Sequence, residues 1–230
     1  MTQGLLTNRL VIVFGGTGAL GSAVVERALA EGARVIAAAN SPTSSDSQSG
    51  ANYTTVDALD EQSVASFFDS LDAAPWAVVN LIGGYTGAQA VADLDLAVMR
   101  RQLELNLMTA ATITKHAVRG MAPSGLGGRI VHTSSRVATQ NGRDGFAYSV
   151  SKLAVVRLVE ATAAEVRDDS ITVNCVMPSI IDTPLNRASM PTADFSTWPR
   201  ASQIAEVIAF LISDAAALVS GAAIPVYGRA

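Results

Sequence analysis

Tyr148 and Lys152 stand four residues apart in "GFAYSVSK", at the start of a helix-like stretch, so their side chains share one face. A phenol titrates near pH ~10 in water and is a poor acid-base catalyst at neutral pH. A neighbouring ammonium favours the phenolate and is expected to lower that pKa toward the working range. Ser135 lies thirteen residues earlier, where the strand-like run "RIVHTSS" ends. A hydroxyl there is placed to donate to the same reacting oxygen, because ligands of open α/β sheets bind at the C-terminal ends of strands. The three side chains together describe a proton donor, its tuning cation and an orienting hydroxyl.

A second cluster is built of glycine. The first apolar run passes into "VFGGTGALGSAVVERAL", where Gly15, Gly18 and Gly21 give the spacing GxxGxxG between a strand and a helix. The first glycine permits a tight turn, the second lets backbone N–H groups approach a pyrophosphate, and the third allows close helix-strand contact. Thr17, Ala19 and Leu20 fill the intervening positions of this expected phosphate cradle. Dinucleotide folds often carry an acid at the end of the second strand to bind the ribose 2'-hydroxyl. Here that strand ends "VIAAANS": Ala39 stands where the acid is expected and Asn40 follows. NADP is therefore permitted alongside NAD, with Ser41, Thr43 and Ser44 as expected phosphate donors.

Groups this far apart in the chain need a scaffold. Short β-branched runs at 10–14, 34–38, 53–56, 77–81, 129–133, 172–176 and 223–226 alternate with helical patterns at 19–30, 61–71, 96–121, 147–167 and 202–213. Several strand runs are continuously apolar, as a parallel sheet covered on both faces requires. The alternation predicts a single doubly wound, Rossmann-type α/β sheet of about seven strands flanked by helices, spanning residues 1–230 as one domain.

Composition narrows the function classes. The chain of 230 residues is 49% hydrophobic and 16% charged, enough to form a large core. A net charge of -4 without a Lys/Arg cluster argues against nucleic acid. Cys175 is the single cysteine, which excludes an intramolecular disulfide and a cysteine metal cluster and makes a reducing cytoplasm the expected location. No metal is expected, since His116 and His132 lack ligand partners at useful spacing. The N-terminus lacks the pattern of a secretory signal, and no apolar tract is long and uninterrupted enough to span a bilayer.

Taken together, GxxGxxG, an asparagine after the fourth strand, a strand-end serine, YxxxK and a proline after the sixth strand resemble the short-chain dehydrogenase/reductase family over essentially the whole chain. The resemblance implies an NAD(P)-dependent oxidoreductase. It implies Tyr148 as the proton donor to a carbonyl, and Lys152 as the residue that tunes it and binds the nicotinamide ribose. It further implies Ser135 as the group orienting the substrate oxygen and Asn106, in "RRQLELNLMTA", as the holder of a relay water. By the same likeness Asp57 meets the adenine, while Asn80 and Gly83 of "NLIGG" support the sheet and cofactor. Pro178, Ile180 and Thr183 of "MPSIIDT" flank the nicotinamide. Two helices of the family pair between subunits, which implies a homodimer or homotetramer.

Within that family, "FGGTGALGS", "GGYTGA" and "DTPLNRASMPTADFSTW" are similar to dihydropteridine reductase, which reduces a quinonoid dihydropterin. That enzyme has no serine at the place of Ser135 and no asparagine at the place of Asn106. The complete set Asn106, Ser135, Tyr148 and Lys152 therefore leads the expectation toward an ordinary carbonyl or alcohol, with the pterin as the alternative. A non-catalytic NAD(P)-binding regulatory protein is the other class, since fold does not fix function. The long connection after Pro178 is expected to cover the substrate as a lid, with Met190, Phe195 and Trp198 as its apolar contacts and no regular structure of its own.

Overall fold

The computed structural model describes residues 4–41, 50–140 and 145–230. Seven parallel strands form one sheet in the order β3-β2-β1-β4-β5-β6-β7. They are β1 (Leu10–Phe14), β2 (Arg34–Ala39), β3 (Asn52–Thr55), β4 (Ala77–Asn80), β5 (Gly128–Thr133), β6 (Ile171–Pro178) and β7 (Ala223–Val226). The chain runs outward from β1 to β3, returns to pair β4 beside β1, and then continues to the other edge. The order reverses at the β1/β4 junction, so a crevice opens above the C-terminal ends of those strands.

Every residue of β1 is buried, and alternate side chains serve opposite layers. Val11 and Val13 join the core beneath α1 (Ala19–Ala30) and α7 (Ala201–Leu211). Ile12 and Phe14 face the layer containing α2 (Glu61–Asp69), α4 (Thr109–Met121) and α5 (Phe146–Glu165). A continuous apolar strand is thus explained by two covered faces rather than one.

Two elements depart from the expected pattern. The stretch expected as one helix over 96–121 is α3 (Leu96–Leu103), a π-helical turn at Glu104–Met108, and α4. Its uninterrupted helical composition carries no mark of the change, but the extra residue in the turn places Asn106 inward, and such turns gather at functional sites. The connection expected to lack regular structure contains α6 (Pro184–Ser189). Thr183 caps it by accepting from Asn186 N at 3.2 Å, and Pro184 occupies the first turn, where its missing N–H is harmless.

Candidate active site at the strand ends

The first strand ends in a turn only glycine accommodates. Gly15 has φ +78° and donates from its amide to Ala38 O at 2.8 Å. A Cβ on Gly21 would strike the backbone carbonyl of Gly15 and lie 2.8 Å from Gly16 C. Gly16, which the spacing argument overlooked, is equally confined: its Cβ would lie 2.7 Å from Ala37 Cβ. Gly18, in contrast, faces outward with Thr17 and Ala19, all three exposed. It begins α1 without a side-chain cap, and the first turn holds no acid to compete with an anion. The arrangement fits a pyrophosphate.

Asn40 and Ser41 lie exposed just past β2, on the same edge. Thr43 and Ser44 lie outside the described residues. Asp57 follows β3 and folds its carboxylate back onto Leu59 N at 2.9 Å.

Asn80 ends β4 and is buried in a directional chain. Its Oδ1 accepts from Ile82 N at 3.0 Å, and its Nδ2 meets His132 Nδ1 at 3.3 Å. His132 Nε2 meets Thr114 Oγ1 at 2.9 Å, and that hydroxyl donates to Ala110 O at 2.7 Å. With the hydroxyl hydrogen committed to Ala110, His132 must donate from Nε2 and accept at Nδ1. The ring is therefore neutral, and burial pushes its pKa down to about 4, helped by the charge of Lys152. His132 thus links β4, β5 and α4 through neutral hydrogen bonds. Among the described residues no group of His, Cys, Asp or Glu could hold a metal.

Beyond β4 the chain meets the π-turn. Asn106 accepts from Gly84 N at 2.9 Å, and its Nδ2, with two hydrogens to give, lies within reach of Gly84 O at 3.0 Å, Ser151 Oγ at 3.1 Å and the Gln102 side-chain amide at 2.7 Å. Ser151 itself donates to Tyr148 O at 2.8 Å, so Asn106 is tied to the helix that carries Tyr148 and Lys152. Gly83 sits in the gap between these elements: a Cβ there would lie 2.6 Å from Lys152 Nζ and 2.7 Å from Asn106 Oδ1. Gly84, Gln102 and Ser151 were not singled out from the sequence, although Ser151 directly precedes Lys152.

Lys152 is 3% exposed, and its ammonium donates to Thr133 O at 3.0 Å. Ser134 Oγ donates to Lys152 O at 2.7 Å and fixes α5 to the end of β5. Burial lowers the Lys152 pKa to about 8. The ammonium lies 5.9 Å from the centre of the Tyr148 ring. Tyr148 behaves differently from the sequence argument. Burial is the largest influence and raises its pKa, the Ser135 hydroxyl opposes that rise, and Tyr85 adds to it. Desolvation of the anion dominates, and Lys152, expected to lower the pKa, is not among the groups that shift it.

Tyr85 is a further residue that sequence reasoning missed. Its ring stands edge-on to Tyr148 with 5.3 Å between centres. It follows the Gly83-Gly84 pair at the mouth of β4, a position from which an aromatic would reach the crevice.

Tyr148, Lys152 and Ser135 line one cleft of about 380 Å³ with Tyr85, Gly83 and Leu20. Pro178, Ile180 and Met190 line it from the β6 side. Thr133 lines it too, and its hydroxyl is buried without a partner among the described residues, an orphan donor suited to a polar ligand. Of the three expected lid contacts, only Met190 is brought to the cleft. Phe195 and Trp198 pack on each other with centres 4.9 Å apart, Trp198 is 7% exposed, and Arg187 lies over Phe195 while paired with Asp182 at 2.6 Å. They anchor the connection to the domain.

Comparison with known proteins agrees with this geometry. Residues 9–194 match the short chain dehydrogenase family. The chain is 35% identical over 219 residues to cis-4-hydroxycyclohexanecarboxylate dehydrogenase of Sinomonas cyclohexanicum, covering 90% of this chain and 86% of that one. It is 31% identical over 241 residues to the mitochondrial (-)-isopiperitenol/(-)-carveol dehydrogenase of Mentha piperita, covering 94% and 91%. Among solved structures, a short-chain type dehydrogenase/reductase from Mycobacterium ulcerans superposes with a TM-score of 0.90 at 28% identity, over 97% of this chain and 90% of that one. A glycine turn after the first strand, and a YxxxK helix meeting a strand-end serine in one cleft, together with these matches, make the chain a member of the short-chain dehydrogenase/reductase family, an NAD(P)-dependent oxidoreductase.

Proposed function

We propose that the protein interconverts a secondary alcohol and its carbonyl on a small cyclic molecule, with Tyr148 exchanging the proton. The observation that carries this reading is the meeting of the Tyr148 phenol and the Ser135 hydroxyl on one wall of the cleft, with Lys152 buried behind them. The Ser135 hydroxyl reaches the Tyr148 phenol, and two adjacent hydroxyls on the cleft wall suit a substrate oxygen. The raised Tyr148 pKa keeps the phenol protonated at neutral pH, which fits an acid in the reducing direction. Ser135 orients the oxygen, and Asn106 holds Gly84 and the catalytic helix in register. The cyclic substrate is suggested by relatives named for cis-4-hydroxycyclohexanecarboxylate, isopiperitenol and carveol.

Bound NAD(P) supplies the hydride chemistry. The residues present fit its parts: the exposed turn from Thr17 to Ala19, with Leu20 and the confined Gly15 and Gly21, would hold the pyrophosphate. Asp57 would meet the adenine, and Lys152 the nicotinamide ribose. Asn80 and Gly83 would support the ribose side of the crevice, and Pro178, Ile180 and Thr183 the nicotinamide side. Ala39, Asn40 and Ser41 leave a 2'-phosphate unopposed, so NADP is accepted alongside NAD. Ala39→Asp is then expected to shift preference toward NAD; equal NADP use before and after would remove this account.

The assay is cofactor turnover with cyclic secondary alcohols, the matching ketones and a quinonoid dihydropterin, each with both cofactors. Turnover of the alcohols that is lost in Tyr148→Phe supports the reading. Turnover of the dihydropterin alone would replace it. Exposed Met108, Phe146 and Leu153 are consistent with a homodimer or homotetramer, which light scattering tests.

A further inference from the structure

We propose that Arg136 selects the substrate, and that the cleft takes ring-bearing hydroxy or keto acids whose carboxylate the guanidinium clamps. The proposal rests on the dehydrogenase reading above and specifies its substrate class.

Arg136 directly follows Ser135 and opens the tight turn Arg136–Ala138, so the chain cannot carry it away from the reacting oxygen. It lines the same cleft as Tyr148. Val137, Ile180, Ile181 and Met190 give that cleft apolar walls suited to a hydrocarbon body. Among the described residues no Asp or Glu lines it, and its two cations are Arg136 and Lys152. Lys152 is committed, buried with its ammonium on Thr133 O.

Arg136 is differently placed. It is half-buried and, among the described residues, its side chain makes one hydrogen bond, from Nη1 to Ala230 O at 2.6 Å, and faces no Asp or Glu of the cleft. Its guanidinium lies 5.8 Å from the centre of the Tyr227 ring. A guanidinium presents five donors in a rigid fork matched to a planar, bidentate anion. With one donor and one face held by the chain, the rest of the fork is pre-positioned, so less freedom is lost when a carboxylate docks. A substrate would then be fixed at two points, its oxygen at Tyr148 and Ser135 and its carboxylate at Arg136.

The test compares 4-hydroxycyclohexanecarboxylate with its uncharged methyl ester, and measures binding of unreactive cyclohexanecarboxylate by calorimetry with cofactor present. Wild type is expected to prefer the acid. In Arg136→Ala the acid-to-ester ratio of kcat/KM should fall roughly 10- to 100-fold, carried mainly by KM, and cyclohexanecarboxylate should bind correspondingly more weakly. Arg136→Lys should restore part of the ratio, because it keeps the charge and loses the fork. An unchanged ratio, or equal losses on acid and ester, overturns the proposal and leaves Arg136 as a tether for Tyr227 and Ala230. If Arg136→Ala does not fold, Arg136→Lys and the wild-type preference decide the matter: a wild type indifferent to the charge overturns the proposal. If no alcohol is turned over at all, the dehydrogenase reading fails separately. Arg136-dependent binding of cyclohexanecarboxylate would still support the clamp, and its absence would overturn it.

Discussion

Asn106 and Gly84 hold each other by a reciprocal pair of hydrogen bonds, Gly84 N to Asn106 Oδ1 at 2.9 Å and Asn106 Nδ2 to Gly84 O at 3.0 Å. A side-chain amide thereby pairs with a backbone amide as a neighbouring strand would, and fixes the segment past β4 against the π-turn. Asn106→Ala leaves Gly84 N–H and its carbonyl without those partners in a part-buried setting. The expected loss is about 1 to 3 kcal/mol of stability in urea unfolding, with a fall in kcat. A variant as stable and active as wild type would show that water replaces the amide in full.

Gly83 separates Lys152 Nζ from Asn106 Oδ1 so closely that any side chain intrudes. Lys152 is the flexible partner, so Gly83→Ala is expected to displace its ammonium rather than the backbone. The fold should survive while kcat/KM falls on the order of 100-fold, the scale of a misplacement of about 1 Å at a reacting site. Normal kinetics in Gly83→Ala would sink the claim that this gap is functionally tight.

Lys152 is a liability to the fold that the site retains. Its folded pKa of about 8 lies below the ordinary 10.5, so the unfolded chain binds more protons between those values. Stability from this group is complete above the unfolded pKa and is lost as pH falls through about 8. At neutral pH the buried ammonium is therefore unfavourable. Lys152→Met should raise stability at pH 7 by about 1 to 2 kcal/mol, after the lost bond to Thr133 O is deducted, while abolishing turnover. The rise of stability between pH 8 and 10.5 should flatten in the same variant. A less stable Lys152→Met would overturn this account.

The scaffold was legible because its signals are local and repeated. Continuous apolar strands such as β1 reflect two covered faces, Gly15 marks a left-handed turn at φ +78°, and Gly21 a place where the backbone leaves no room for a side chain. What escaped depends on contacts made across the fold. The π-turn around Asn106 has ordinary helical composition, and the direction of the Tyr148 shift depends on how deeply the ring is buried, which spacing to Lys152 does not encode. Phe195 and Trp198 look equally suited to a ligand or to each other until their partners are seen. Gly84, Gln102 and Ser151 matter only because Asn106 turns inward to meet them.

His132 gives a stability signature in acid. The chain Ile82–Asn80–His132–Thr114–Ala110 is satisfied only by a neutral ring protonated at Nε2. A proton added at Nδ1 would face the Asn80 amide, donor against donor. The folded pKa of about 4 lies below the ordinary 6.5, so the unfolded chain takes up more protons within that window. Stability is complete above pH 6.5 and is lost as pH falls toward 4, by about 3 kcal/mol from this residue. Below that window both states carry the proton, and His132 contributes no further slope. His132→Gln removes the titration: its baseline stability is expected to be lower because the amide fits the Asn80–Thr114 gap imperfectly, but its loss between pH 6.5 and 4 should be smaller than that of wild type. Urea unfolding of both proteins across this range measures the difference, and parallel curves would mean that His132 is not the group protonated on acid unfolding.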